Sequence, residues 1–338
     1  MHARERQGQM AILITGGAGF IGSHMVLGLL DACEDIIVLD NLSSGFRSAV
    51  PASVQFIEGD AGDYNLVRSV MGRNHIDSVV HFAGSIVVPE SVTNPLLYYQ
   101  NNTCNSRTLI ACAIEARIPH FIFSSTAAVY GTLAHNPVAE GADTNPTSPY
   151  GSSKLMTELI LRDCATAYGL RYVALRYFNV AGADPQCRAG QSTATATHLI
   201  KVAIQAAIGV KLDLEVYGTD YPTPDGTCIR DYIHVSDLIS AHMAALSHLR
   251  SGGDNEVLNC GYGQGASVLE VIDAVECAAD TKLAIRIGPR RPGDPPALVA
   301  NADRIKNVLG WQPYYDNLQT IVGHALAWER RLLRQRTT

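Results

Sequence analysis

The first half of the chain alternates short β-rich runs with longer amphipathic stretches, and this alternation restricts the fold more than any other feature. The runs are AILITG, IIVLD, VQFIEGD, SVVHFAG and HFIFSS, and helices are predicted near residues 20–32, 64–73 and 97–117. A helix after Pro149 and a last strand, YVALRYFNV, complete the series. Repeated strand–helix–strand units build a parallel sheet covered by helices on both faces. We therefore predict an α/β fold, a Rossmann-type doubly wound sheet of about six parallel strands.

Beyond residue 180 the pattern loosens into a second region. The stretches AGADPQCRAGQSTATA, DYPTPDGT and GPRRPGDPPA are typical of loops, and helices are predicted near 197–209, 236–249, 267–279 and 316–333. We predict a flexible extension at 1–10, a nucleotide-binding domain at 11–180, and a smaller C-terminal α/β substrate-binding domain at 181–338. Some segments of the last region are expected to return to the first domain.

Composition favours a small-molecule partner. The 338 residues carry a net charge of −6, which disfavours binding to nucleic acid or to an anionic membrane. The sequence contains no apolar run of about 18 residues, and its start, MHARERQGQ, lacks the apolar core of a secretory signal. The eight cysteines show neither a CxxC pair nor a metal-ligand spacing. We expect reduced thiols, no metal site and a cytoplasmic location.

A glycine-rich turn follows the first predicted strand. TGGAGFIGSH places Gly16, Gly19 and Gly22 between that strand and the next helix. Glycines in this context permit a tight turn, let the backbone approach a pyrophosphate and bring the helix against the strand. The spacing differs from GxGxxG, and the alternative is a merely tight strand-to-helix turn.

The ends of the next strands supply candidate partners for the same dinucleotide. Asp40 stands eighteen residues past Gly22, where a carboxylate can accept hydrogen bonds from an adenosine ribose. An anion there repels a 2′-phosphate, which favours NAD over NADP. The alternative role of Asp40 is a helix or turn cap. Asp60 and the FAG stretch at 82–84 close the third and fourth strands, at positions suited to the adenine and the pyrophosphate.

The stretch SPYGSSK places Tyr150 and Lys154 four residues apart, on one face of a predicted helix. A phenol with an ordinary pKa near 10 needs roughly 4 kcal/mol to ionise at pH 7. A cation about 4 Å away supplies roughly that amount at an effective dielectric near 20. Tyr150 can then act as a base with Lys154 as its electrostatic partner. Taken alone, the pair is also compatible with two solvated neighbours on a surface helix.

Three hydroxyl side chains end the fifth strand in SSTAAVYG. Among Ser124, Ser125 and Thr126, we expect Thr126 to hydrogen-bond the reacting oxygen. The alternative for all three is backbone capping at the end of a strand.

Ten motifs in order carry a family resemblance over residues 11–330: TGGAGFIGSH, VLDNLSSG, EGD, VVHFAG, YYQNN, FSSTAAVYG, SPYGSSK, RYFNVAGA, YGTDYPTPDGTCIRDYIHV and PRRPGD. The chain resembles the extended short-chain dehydrogenase/reductase family, and within it the nucleotide-sugar epimerases. The resemblance implies tightly held NAD and a UDP-hexose substrate that is reversibly oxidised at C4, as in the exchange of UDP-glucose with UDP-galactose. N-acetylated UDP-hexoses are a further possibility.

The resemblance also assigns roles to residues. It makes Tyr150 the catalytic acid/base, Lys154 the group on the nicotinamide ribose, and Thr126 the counterpart of a family Ser. The implied cofactor residues are Gly16, Gly19, Phe20, Ile21, Gly22, Asp40, Asn41, Asp60, Ala61, Phe82, Ala83, Gly84, Asn101, Ser124, Tyr150, Lys154 and Tyr177. The implied substrate residues are Thr126, Tyr150, Phe178, Asn179, His198, Leu199, Tyr217, Arg230, Arg291, Asp294 and Leu298.

Three positions depart from the family pattern. Ile86 stands where some members have a Lys that touches the cofactor ribose. The THL stretch at 197–199 stands where some have an Asn pair, which puts the contact of His198 with substrate in question and leaves a helix-surface histidine as the alternative. Leu298 replaces a Tyr that lines the hexose pocket, so an N-acetyl group can fit there.

Two other functions occur on the same fold. A nucleotide-sugar 4,6-dehydratase needs an acid and a base where this chain has Ala127 and Ala128, and alanine transfers no proton. A non-catalytic NAD-sensing protein can lack the Tyr and Lys pair, which this chain retains. The resemblance further implies a homodimer, formed through a four-helix bundle of the helices near 97–117 and 152–169.

Overall fold

The computed structural model describes residues 10–132, 135–193, 197–291 and 294–337. Nine residues of the expected N-terminal extension lie outside this range, and Met10 is exposed immediately before the first strand. No described helix is both long and apolar enough to cross a lipid bilayer.

The strands of the described chain are β1 (Ala11–Thr15), β2 (Asp35–Asp40), β3 (Gln55–Glu58), β4 (Ile76–His81), β5 (His120–Thr126), β6 (Arg171–Tyr177), β7 (Asn179–Ala181), β8 (Leu214–Tyr217), β9 (Ile229–His234), β10 (Glu256–Cys260), β11 (Gly265–Ser267), β12 (Ile285–Gly288) and β13 (Ala297–Leu298). The α-helices are α1 (Phe20–Asp31), α2 (Tyr64–Arg73), α3 (Val88–Thr93), α4 (Pro95–Tyr98), α5 (Asn105–Glu115), α6 (Pro149–Tyr168), α7 (Leu199–Ala207), α8 (Val235–Arg250), α9 (Val268–Ala279), α10 (Asp303–Leu309) and α11 (Leu318–Thr337).

Seven strands form the central sheet, in the order β10-β6-β5-β4-β1-β2-β3. The pairs β1–β2, β1–β4, β2–β3 and β4–β5 are parallel. Strands β1 and β5 are buried along their whole length because helices cover the sheet, which explains the apolar runs AILI in β1 and FIF in β5. The predicted Rossmann-type parallel sheet is confirmed.

The sheet differs from the sequence prediction at two places. A seventh strand, β10, joins it from late in the chain, where the loosened pattern gave no strand prediction. The predicted strand YVALRYFNV is wrong as a single unit, because the chain leaves the central sheet at Phe178. Its last two residues, Asn179 and Val180, belong to β7, which pairs instead with β9 in a four-stranded sheet that also contains β11 and β13.

Local signals explain the bounds of α6. Ser148 caps its N-terminus by accepting a hydrogen bond of 3.2 Å from the Gly151 amide, and Pro149 occupies the first turn. Gly169 ends the helix with a φ of 72°, which costs a glycine nothing. The helix predicted near 97–117 consists of α4, a wider π-helical segment (Tyr99–Cys104) and α5.

The chain divides into two compact units. The first comprises the residues up to Ser125 together with Ser148–Leu175 and His242–Val257. The second comprises Thr126–Thr147, Arg176–Ala241 and the chain from Leu258 onwards. In the first unit, an apolar core joins β1, β2, β4 and β5 to α2, α5 and α6, with members such as Leu13, Val79, Leu109, Phe121 and Leu161. The assignment of cofactor and substrate to separate domains stays a prediction.

We expect Gly22→Ala to destabilise the protein by about 1–3 kcal/mol, because a Cβ there would lie 2.1 Å from the Gly16 carbonyl oxygen and force α1 away from the turn. Gly72→Ala in α2 is the matched control, since a Cβ at Gly72 meets nothing within 4 Å and alanine favours helix. Urea unfolding of both variants checks this, and equal midpoints for the two would contradict it.

Candidate active site

The glycine-rich turn brings three segments of the first unit into contact. Gly16 follows β1 with a φ of 72°, and a Cβ on it would lie 2.6 Å from the Ala83 amide nitrogen. A Cβ on Gly22 in α1 would lie only 2.1 Å from the Gly16 carbonyl oxygen. Side chains at either position would push apart the turn, the helix and the loop after β4. These glycines therefore set where α1 begins.

The start of α1 fits the pyrophosphate of a dinucleotide. Gly19 is the N-cap residue, and no side chain caps the helix there. A Cβ on Gly19 would meet only the Gly16 carbonyl oxygen, at 3.3 Å, so this face of the turn stays open. Phe20 and Ile21, both half-buried, form the first turn. Backbone N–H groups at a helix N-terminus attract an anion, as the glycine pattern predicts.

Asp40 ends β2 and ties two loops together. Its Oδ2 accepts a hydrogen bond of 2.8 Å from the Ala18 amide, and its Oδ1 accepts one of the same length from the Leu42 amide. Asp40 therefore has the turn-capping role that the sequence left open as an alternative. A carboxylate offers about four acceptor positions, so two remain on Asp40, as the ribose contact predicted from the sequence requires.

The strand ends next to Asp40 carry the other proposed adenine and pyrophosphate contacts. Asp60 accepts hydrogen bonds of 2.9 Å from both Asn41 Nδ2 and Asn105 Nδ2, and the adjacent Ala61 is buried. The Phe82 amide donates a 3.0 Å hydrogen bond to the Thr15 carbonyl, which places Phe82, Ala83 and Gly84 beside the glycine-rich turn.

Tyr150 and Lys154 are both buried in the first two turns of α6. The Tyr150 ring packs edge-on against Tyr98, with 6.5 Å between centroids. Lys154 Nζ donates a 2.9 Å hydrogen bond to the Ser124 carbonyl and lies 5.0 Å from the centre of the Phe123 ring. Burial lowers the pKa of Lys154 from 10.5 to about 8, so the amine remains mostly charged at neutral pH. The structure therefore excludes the solvated surface pair that the sequence alone allowed.

Asn102 is a central residue of this site that sequence reasoning missed. Its side chain accepts a 2.7 Å hydrogen bond from the Ser85 amide and donates 3.0 Å bonds to the Ser85 carbonyl and to Ser153 Oγ. Its carbonyl oxygen accepts a 3.0 Å hydrogen bond from Thr157 in α6. The neighbouring Asn101, chosen from the sequence, donates to Ser85 Oγ. Two asparagines inside a helical stretch, in YYQNN, were the available signal, because asparagine is a poor helix former.

His81 is connected to Asn102 through hydrogen bonds of Ser106. Its Nδ1 lies 2.6 Å from Thr15 Oγ1 and its Nε2 lies 2.7 Å from Ser106 Oγ, and Ser106 in turn donates to the Asn102 carbonyl. Burial first, and the Lys154 charge second, lower the pKa of His81 to about 3. A neutral imidazole therefore links the end of β1 to the π-helical segment without placing a second charge beside Lys154.

The hydroxyl residues at the end of β5 have separate roles. Ser125 Oγ donates to buried Glu158 of α6. Thr126 Oγ1 accepts a 3.1 Å hydrogen bond from the Ala128 amide, which is the capping role weighed from the sequence. Thr126 belongs to the second unit, whereas Tyr150 belongs to the first, so its part in catalysis stays a prediction. Ala127 and Ala128 lie in the short helical turn after it.

Within the second unit, the proposed substrate residues form two groups. Arg230 Nη2 and Asp294 Oδ1 make an ion pair of 2.7 Å, and Leu298 of β13 lies in register with Arg230 of β9. The Arg291 guanidinium lies 3.9 Å from the centre of the Tyr217 ring. Both are arrangements that arginine favours, an ion pair and a face-on contact with an aromatic ring.

The remaining predicted residues lie on connecting segments. Tyr177 ends β6, Phe178 is buried between β6 and β7, and Asn179 begins β7. His198 is the N-cap residue of α7, exposed, with Nδ1 2.8 Å from Gln191 Nε2, and Leu199 follows it. Ile86, where some relatives have a lysine, is exposed. The described residues contain no group of three or more metal-ligating side chains.

Comparisons with known proteins agree with this geometry. Residues 12–261 match the model of the NAD dependent epimerase/dehydratase family. A UDP-glucose 4-epimerase of Azospirillum brasilense is 57% identical over 95% of this chain and 92% of its own. The crystal structure of UDP-glucose 4-epimerase from Brucella ovis in complex with NAD has a TM-score of 0.92 at 44% identity, covering 94% of this chain and 98% of that one.

A third relative differs in its substrate description. The structure of the UDP-Glc/GlcNAc 4-epimerase from Campylobacter jejuni is 45% identical, with a TM-score of 0.84, and covers 95% of this chain and 99% of its own. The family resemblance noted in the sequence is confirmed by these matches. From a family model that spans most of the chain and from relatives similar over nearly their whole length, the chain belongs to the NAD-dependent epimerase/dehydratase family.

Proposed function

We propose that the protein is an NAD-dependent UDP-glucose 4-epimerase, which interconverts UDP-glucose and UDP-galactose by reversible oxidation at C4 of the hexose. The observation that carries this is the burial of Tyr150 and Lys154 on one face of α6, with the Lys154 amine held by the Ser124 carbonyl. The names of the relative from Azospirillum brasilense and of the structure from Brucella ovis, both UDP-glucose 4-epimerases, support the same reaction.

The residues of the first unit would hold NAD as follows. The open N-terminus of α1 at Gly19 would receive the pyrophosphate, and the two remaining acceptor positions of Asp40 would receive ribose hydroxyls. When bound, NAD supplies a hydride acceptor for C4 and returns the hydride at the end of the reaction. Lys154 would reach the nicotinamide ribose.

Tyr150 acts as the acid and base for the C4 oxygen. Oxidation at C4 requires removal of the hydroxyl proton, and Tyr150 takes this proton as a phenolate and later gives it back. The charged Lys154 amine, one turn along α6, favours the phenolate because opposite charges attract strongly where water is excluded. Thr126 would donate a hydrogen bond to the same oxygen and assist the transfer.

The second unit would hold the nucleotide half of the substrate. Arg230 donates one hydrogen bond to Asp294 and one to the Ile229 carbonyl oxygen. Because a guanidinium has five N–H groups, others remain for a diphosphate. Arg291 stands over Tyr217, a pairing suited to a diphosphate beside a uracil ring. Phe178, Asn179 and Leu199 would complete this site, which would anchor UDP and leave the hexose free to turn.

A second substrate class is favoured by Leu298. A leucine is smaller than the tyrosine found there in some relatives, which leaves room for an N-acetyl group in the hexose pocket. The relative from Campylobacter jejuni is described as a UDP-Glc/GlcNAc 4-epimerase. We therefore include exchange of UDP-N-acetylglucosamine with UDP-N-acetylgalactosamine in the proposal.

The proposal includes a homodimer in the cytoplasm. The side chains of Met156 and Leu159 on α6, and of Leu96 on α4, are exposed and apolar. Exposed apolar side chains on neighbouring helices suit a four-helix bundle between two copies. All eight cysteines are free thiols, as the reducing cytoplasm would maintain them.

We expect the purified protein to convert UDP-galactose to UDP-glucose without added reductant, and Tyr150→Phe to lower kcat about 10²- to 10⁴-fold because the base is lost. Tyr98→Phe is the matched control, since it removes a neighbouring phenol that bonds the Val87 carbonyl and Glu90. A coupled UDP-glucose assay measures both. Accumulation of NADH by the wild type, or unchanged kcat in Tyr150→Phe, would argue against an epimerase of this mechanism.

Burial gives Lys154 a pKa of about 8, below its ordinary 10.5, so its charge is present below pH 8 and lost as the pH rises through that value. We expect kcat/KM to fall on an alkaline limb near pH 8. Arginine stays charged over the whole accessible pH range, so in Lys154→Arg the alkaline limb should move to higher pH. We expect this shift even if the variant has a lower absolute rate. If the alkaline limb lies at the same pH in both proteins, it does not arise from deprotonation of Lys154.

The double variant Met156→Glu with Leu159→Glu should separate the proposed dimer, because it places charges within an apolar contact. Leu212→Glu, at a fully exposed position of the second unit, is the control and should leave the mass unchanged. Light scattering coupled to gel filtration reports both masses. A dimer that survives the double substitution would place the interface elsewhere.

A further inference from the structure

A buried ion pair in the second unit has no part in the reaction as described. Lys201 of α7 and Glu329 of α11 form it, with side chains only 5% and 8% exposed. Lys201 Nζ also donates a 2.6 Å hydrogen bond to the Gln191 carbonyl oxygen. Removing two charges from water costs about as much as their attraction returns, so such a pair is weak evidence for stability. Its clearest structural effect is to fix the main chain at Gln191.

Gln191, whose main chain is held by Lys201, in turn contacts His198 through its side chain. Its amide is oriented so that Nε2 faces His198 Nδ1 at 2.8 Å. An amide nitrogen only donates hydrogen bonds, so Nδ1 must accept and the proton of the neutral imidazole must lie on Nε2. Nε2 is therefore an N–H donor. Without Gln191, either nitrogen could carry the proton, and Nε2 would be a donor only part of the time.

His198 lies beside the strand that begins with a proposed substrate contact. A cavity of about 20 Å³ is lined by Val180, Gly182, Gln191, His198, Lys201 and Glu329, among others. Val180 follows Asn179 directly in β7. The restrained imidazole is thus held next to β7, within the part of the second unit assigned to the nucleotide sugar.

We propose that Gln191, Lys201 and Glu329 are positioning residues that hold His198 as an Nε2–H donor to an oxygen of the UDP-hexose. The inference rests on the proposed function, since His198 is a substrate residue only within it. It assigns the binding role to a neutral histidine where some relatives have an asparagine, and both side chains can present one N–H donor. Lys201 and Glu329 act on the substrate only through Gln191 and His198.

The protonated nitrogen of His198 can be observed directly. In full-length protein labelled with ¹⁵N in its histidine rings, His198→Gln identifies the His198 signals, and the wild type should show the Nε2–H tautomer. Gln191→Glu places an acceptor opposite Nδ1 and should move the proton to Nδ1 or produce the imidazolium. An Nδ1–H tautomer in the wild type, or the same signals in Gln191→Glu, would overturn the inference.

Kinetics with UDP-galactose separate positioning from general structure. Gln191→Leu and the double variant Lys201→Met with Glu329→Leu should each raise KM about three- to tenfold, more than they lower kcat. The double variant removes both charges at similar volume, so it is expected to fold, which circular dichroism checks. An unchanged KM in both variants contradicts the inference while wild-type turnover leaves the epimerase function intact. Absence of wild-type turnover would instead contradict the proposed function. The tautomer measurement would then still show whether Gln191 keeps the His198 proton on Nε2.

Discussion

The close approach of α1 to the turn before it is the constraint on which the first unit depends. A Cβ at Gly22 would lie 2.1 Å from the Gly16 carbonyl oxygen, and one at Gly16 would lie 2.6 Å from the Ala83 amide. The absence of these two atoms lets the end of β1, the start of α1 and the loop after β4 meet at one place. Because that place is at the carboxyl end of a parallel sheet, the partial positive charge of the helix faces the region in which we propose that the anionic cofactor binds.

The same end of the sheet holds a charge that burial makes costly. Lowering the pKa of Lys154 from 10.5 to about 8 corresponds to about 3 kcal/mol against the charged amine. The Ser124 carbonyl and the Phe123 ring offset part of this cost. The neutral His81 and the amide of Asn102 complete the polar surroundings without adding a competing cation. In the mechanism that we propose, this buried charge would favour ionisation of Tyr150 far more than the charge of a solvated lysine would.

In the second unit, charged side chains are held by contacts with other protein side chains. Arg230 forms an ion pair with Asp294, Lys201 forms one with Glu329, and Arg291 is stacked on Tyr217. In the function that we propose, paired or stacked arginines would lose less freedom on binding a diphosphate than free ones, because their side chains are already ordered. The proposed grip on the nucleotide would suit a reaction in which the sugar itself must turn over.

The local patterns of the sequence were sufficient for the alternating strands and helices, the glycine-rich turn and the pairing of Tyr150 with Lys154 on one helix face. These features depend on residues within a few positions of one another, and the period of a helix or strand relates them directly. The split of YVALRYFNV between two sheets and the arrival of β10 could not be obtained in this way, because each depends on which distant strand offers a free edge. The position of Asn102 against Ser153, 51 residues away, and that of Lys201 against Glu329, 128 residues away, were likewise decided only by the tertiary structure. Burial then turned ordinary polar side chains into an amine with a lowered pKa, that of Lys154, and a neutral imidazole, that of His81, since both properties depend on the exclusion of water by residues far apart in the chain.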